Sequence, residues 1–97
     1  MKEEFCIMPE DIRWSTERFY GSHRHEVFEG RTGNRDKSIE DGLVIFLTPA
    51  LHNMSNKGIH FDKDFREYAQ KKAQETWQEY YNKTEDEFRA RYGKSYL

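Results

Sequence analysis

The run Leu43-Val44-Ile45-Phe46-Leu47 constrains this chain more than any other stretch. It is continuously apolar, rich in β-branched and aromatic residues, and bounded by Gly42 and by Thr48-Pro49. Those features predict a strand buried on both faces. Its partner is predicted from about Glu17 to Phe28, where Phe19, Tyr20, Val27 and Phe28 favour extended backbone. Gly21 within that partner suggests a bulge or a close backbone approach. The two strands make an antiparallel hairpin.

The loop of the hairpin runs from Glu29 to Gly42. Gly30, Gly33, Asn34 and Gly42 tolerate positive φ, and Ser38-Ile39-Glu40-Asp41 reads as one helical turn capped by Ser38. On the N-terminal side, Glu4 to Met8 reads as a short strand that Pro9 ends. After the hairpin, Thr48-Pro49 places a hydroxyl at the N-cap and proline at the first position of a short helix. That helix spans Ala50 to Met54, and Asn56-Lys57-Gly58 ends it.

A long amphipathic helix follows from near Asp62. Phe61, Phe65, Tyr68, Ala69, Ala73, Thr76, Trp77 and Tyr80 mark its inner face, and Lys63, Asp64, Arg66, Glu67, Lys71, Glu75 and Glu79 its outer face. Asn82 closes it. Thr84-Glu85-Asp86-Glu87 is a capping box that opens a last helix, with Phe88 and Tyr92 inward and Gly93 beyond its end. The tail 94–97 is expected to pack back on the body. The fold class is therefore α+β, a single domain over 1–97, with a hairpin-and-helix core at about 17–60 and a helical part at 61–97.

Composition fits a small domain that leans on large rings. Of 97 residues, 35% are hydrophobic, and seven Phe, six Tyr and two Trp must supply much of the burial. The net charge of −2 argues against a protein that wraps nucleic acid through a general basic excess. Cys6 stands alone, so no internal disulfide is possible and the residue reads as a small apolar side chain. No apolar run approaches the ~20 residues that span a bilayer, and no signal-peptide core is evident. A cytoplasmic protein with no membrane partner is expected.

All four histidines fall on the hairpin, the short helix and the loop after it. His23 and His25 lie two apart on a strand and point to one face. His52 lies on the helix after the second strand, which can fold back across the hairpin, and His60 follows a loop that can return to the same place. Imidazole is a common ligand for zinc and other divalent ions. Three such ligands with an open position make a catalytic site, and four make a closed one.

The segment from His23 to Phe65 resembles the HNH family of small nucleases, the ββα-metal or His-Me finger fold, in the form common in bacteriophage genomes. The residues that carry the resemblance are His25-Glu26-Val27-Phe28-Glu29-Gly30, Gly33-Asn34-Arg35 with Ser38, and Gly42 through Leu47. It continues through Pro49, His52-Asn53 and Gly58-Ile59-His60-Phe61. Residues 88–97 also resemble the end of such phage proteins.

The resemblance implies metal-dependent hydrolysis of DNA phosphodiesters. It implies His25 at the metal, Glu26 in the adjacent general-base position, Asn34 as the asparagine that holds the hairpin loop, His52 as the helix ligand and His60 as a third. A register with His25 as base and His23 as ligand is equally compatible. Zinc is the ion expected, with magnesium, manganese and nickel as alternatives.

The departures from the family point elsewhere. Glu26 stands where many members have a histidine, and Thr48 and Leu51 stand where a zinc knuckle would have ligands. These favour a second expectation: a weakly active or inactive derivative that binds and inhibits a host defence protein such as a CRISPR effector, in the manner of an anti-CRISPR protein. A small structural or packaging accessory is a third. Each places a phage-encoded protein in a bacterial cytoplasm.

Overall fold

The computed structural model describes residues 5–29, 33–54, 58–60 and 62–97, with 53 and 54 as backbone only. Glu4, Gly30, the Asn56-Lys57 helix end and Phe61 lie outside the described residues. The chain forms β1 (His23–Glu26), α1 (Asn34–Asp41), β2 (Val44–Leu47), a short π-type helix (Ala50–Met54), α2 (Lys63–Tyr81) and α3 (Glu85–Tyr92). This is the α+β hairpin, short helix and helical C-terminal half that the sequence predicts.

β1 and β2 pair antiparallel, with His23 opposite Leu47, Arg24 opposite Phe46, His25 opposite Ile45 and Glu26 opposite Val44. The free edge of β2 is also used: Ser15 exchanges two backbone hydrogen bonds with Phe46, at 3.0 and 2.9 Å. With both edges engaged, Leu43 to Leu47 are all buried. Leu43, Ile45 and Leu47 enter the main core with Phe28, Ile59, Phe65, Ala69, Ala73, Trp77 and Phe88. Directly paired residues share a sheet face. His23 and His25 therefore lie on this core face, and Arg24 and Glu26 on the reverse.

Four local expectations are corrected. The first strand is only 23–26, because Gly21 takes φ 78° and Ser22 N–H donates back to Phe19 O at 3.0 Å. That turn consumes backbone groups a ladder would need. Phe19 and Tyr20 are exposed, and among the described residues nothing approaches Gly21 closely enough to make it a contact point. Residues 5–8 are irregular, held by Ile7 N–H to Gly42 O at 2.9 Å rather than by a ladder.

Ser38 does not cap a helical turn. α1 starts earlier, after Gly33, and Ser38 sits inside it. Its hydroxyl donates to Phe28 O at 2.9 Å and accepts from Phe28 N–H at 3.1 Å. Tyr80 is exposed, and Tyr81 turns inward instead, donating its hydroxyl to Asp41 O at 2.9 Å.

The helical half follows its caps. Asp62 accepts from Phe65 N–H at 3.0 Å to start α2, and Asn82 ends it at φ 55°. Thr84 and Glu87 form the capping box of α3. Phe28, Phe88, Tyr92 and Tyr96 stack into one aromatic cluster, with ring centroids 4.7 to 5.2 Å apart for Phe28 against the other three. The tail is tied down by Tyr96 N–H donating to the buried Gln74 at 2.6 Å.

Candidate metal centre

Each histidine is positioned by its own element. The pleat of β1 sends His25 into the core face, where it is almost wholly buried. Thr48 caps the following helix: its Oγ accepts from Leu51 N–H at 3.3 Å, and its carbonyl accepts from His52 N–H at 3.0 Å. This brings His52 over the hairpin. The buried Ile59 then pins the return of the chain, donating its N–H to Leu51 O at 2.7 Å. His60 follows directly, and Arg66 Nη1 donates to its carbonyl at 3.3 Å.

The result is a cluster of imidazoles. His25, His52 and His60 each offer a nitrogen such that the three lie within 4.8 Å of one another. The His52 and His60 Nε2 atoms are 3.2 Å apart. On its other side, His52 Nδ1 lies 3.2 Å from His23 Nδ1. His52 thus turns one nitrogen towards His60 and the other towards His23.

The surroundings disfavour protonation of His25 and His52. Burial pushes His25 down to about 3, assisted by His60, His52 and Arg35 nearby. Burial also lowers His52, with His60 and His23 adding to it and Glu26 opposing. Neutral imidazole is the form that binds metal. His25 Nδ1 is also buried, with no hydrogen-bond partner among the described residues. A buried polar atom of this kind calls for an explanation, and a cation held among the three rings supplies one. The donor set fits a divalent metal ion.

The remaining sequence candidates lie elsewhere. The Glu26 carboxylate, on the reverse face of the sheet, is flanked by Arg24 Nη2 at 3.5 Å and Arg35 Nε at 3.3 Å. Asn34 is buried and donates to Tyr92 O at 3.0 Å, linking the hairpin loop to α3. Ser38 also ties across the hairpin loop, through both backbone groups of Phe28.

Sequence reasoning passed over Glu29 as a site residue. Its Oε1 is 3.5 Å from His25 Nδ1 and 3.9 Å from His60 Nε2. The available signal was its place four residues after His25, beyond the end of the strand, where alternation no longer decides which face a side chain takes.

Comparison with protein-family models, with curated proteins and with solved structures finds no match. No helix among the described residues is long and apolar enough to cross a membrane.

Proposed function

We propose that this protein is an HNH-like, ββα-metal module that hydrolyses DNA phosphodiesters with a divalent ion, zinc by preference. The observation that carries this reading is the convergence of His25, His52 and His60 where the hairpin meets the short helix. Three imidazoles suit a borderline ion such as zinc better than magnesium, which prefers oxygen. When bound, the ion polarises the phosphate and stabilises the leaving oxygen. His25 holds it from the core side, while His52 and His60 hold it from the helix and the loop. His23 accepts the Nδ1 proton of His52, which fixes the tautomer that leaves Nε2 free to bind.

The test is plasmid cleavage with zinc, nickel, manganese or magnesium. Wild type is expected to nick DNA in a metal-dependent way, and His25→Ala to lose that activity. Nicking that survives in His25→Ala, or none with any ion, contradicts the hydrolase reading.

One observation favours a second reading. Glu26, which the family resemblance puts in the base position, faces away from the histidines and is engaged by two arginines. A base must lie within hydrogen-bond reach of the proton it removes. In this reading the module keeps its ion as a structural element and acts by binding a host protein such as a CRISPR effector. It predicts bound metal, no cleavage and direct retention of the effector. Failure to retain it counts against this alternative.

A further inference from the structure

We propose that Glu29 supplies a fourth, anionic ligand, so that the ion bound by His25, His52 and His60 is held by three imidazoles and one carboxylate. This rests on the metal-binding part of the function proposed above.

Donor atoms bound at ~2.0–2.2 Å around a tetrahedral ion stand about 3.3–3.6 Å from one another. Three separations at this site lie near that scale. His52 Nε2 to His60 Nε2 is 3.2 Å, His25 Nδ1 to Glu29 Oε1 is 3.5 Å, and His60 Nε2 to Glu29 Oε1 is 3.9 Å. One carboxylate oxygen therefore lies against two of the three rings; Glu29 stands just outside the set of three whose donors all fall within 4.8 Å of one another, so its exposed side chain closes towards His52 when the ion binds.

The contact with His25 is otherwise hard to account for. Its Nδ1 is buried and makes no hydrogen bond among the described residues, although the carboxylate is close by. The pair lies 3.5 Å apart without the alignment of a hydrogen bond. A cation bound by both satisfies the buried nitrogen.

Glu29 also occupies the open side of the cluster. Its side chain is 43% exposed, whereas that of His25 is 4% exposed. The three rings close the site from the protein, and the carboxylate closes it from solvent. Its charge partly neutralises the divalent ion, and its exposure makes it the ligand that an incoming phosphate oxygen would displace or join.

Binding of cobalt(II) and zinc to the full chain tests this, read by visible absorption of the cobalt complex and by competition with a chromophoric chelator. Wild type is expected to bind one ion and show the intense bands of four-coordinate cobalt. Glu29→Gln is expected to alter those bands and to weaken binding at least about tenfold, the low end of what even an outer-shell loss costs. Glu29→Asp is expected to recover part of the affinity. The proposal is overturned if Glu29→Gln keeps both wild-type affinity and spectrum while His25→Ala loses binding. If His25→Ala also binds like wild type, the histidine site itself is wrong, and the Glu29 proposal falls with it.

Discussion

His25 shows how one side chain ties folding to chemistry. Its imidazole is buried on the core face of β1, and burial pushes it down to about 3. In the unfolded chain it titrates at the ordinary value of 6.5. Between those values the unfolded state binds the extra proton, so stability rises with pH. The contribution of His25 is complete above pH 6.5 and is lost as pH falls towards 3. Metal-free protein is expected to lose up to ~1.4 kcal/mol per pH unit across that window from this residue alone. Urea midpoints measured from pH 7 to pH 4 check this, with His25→Phe as the comparison that should flatten the slope. An unchanged slope in that variant would mean that His25 is not held neutral by burial. The grouping of His25 with His52 and His60 was legible because strand alternation and the order of elements already bring them together. The side taken by Glu26 was equally implied by alternation, since neighbours on a strand face opposite ways. Family resemblance drew attention to its position along the chain rather than to its face.

Among the elements, the hairpin loop shows where sequence reading runs short. Turn residues such as Gly33 and Gly42 mark the loop, and both take positive φ at the two ends of α1. That α1 would extend from Asn34 was less evident, because Asn34-Arg35-Asp36-Lys37 has neither an apolar period nor a capping residue before it. Ser38 looked like a cap because serine commonly caps. The hydrogen bonds it makes to Phe28 are tertiary and leave no local signal. Removing that hydroxyl leaves Phe28 N–H and C=O without their partner inside the core. Ser38→Ala is therefore expected to destabilise the fold by ~1–3 kcal/mol, read from the denaturant midpoint. A change within a few tenths of a kcal/mol would show that the loop is held by other contacts. The C-terminal helices were more legible, because Asp62, Asn82, Thr84, Glu87 and Gly93 announce their ends through caps that act locally.

Across the whole molecule, Asp41 joins the histidine-bearing half to the helical half. Its carboxylate accepts from Trp77 Nε1 at 2.9 Å, Arg91 Nε at 2.6 Å and Tyr92 OH at 2.6 Å, reaching both α2 and α3 from the end of α1. Burial, and after it the carboxylate, raises Tyr92 well above the ordinary phenol range; burial opposes protonation of Arg91, and the same carboxylate outweighs it and raises Arg91. Asp41→Ala strands the buried Trp77 and Tyr92 donors, while the half-exposed Arg91 keeps Glu40, so a loss of ~2–4 kcal/mol is expected, measured by thermal or urea unfolding. A loss below 1 kcal/mol would contradict its role as the junction. Nothing in the sequence singles out Asp41 from the other acidic residues, because its partners come from 36 to 51 positions away.

The hairpin, the short helix and the loop after it are proposed to converge on one divalent ion. Metal stoichiometry by elemental analysis, after zinc loading and exhaustive dialysis, tests this most directly. The expected result is one ion per chain for wild type and none for His52→Ala or His60→Ala, with each variant still folded by circular dichroism. Wild-type protein that retains no ion, or folded variants that retain it as wild type does, would contradict the account.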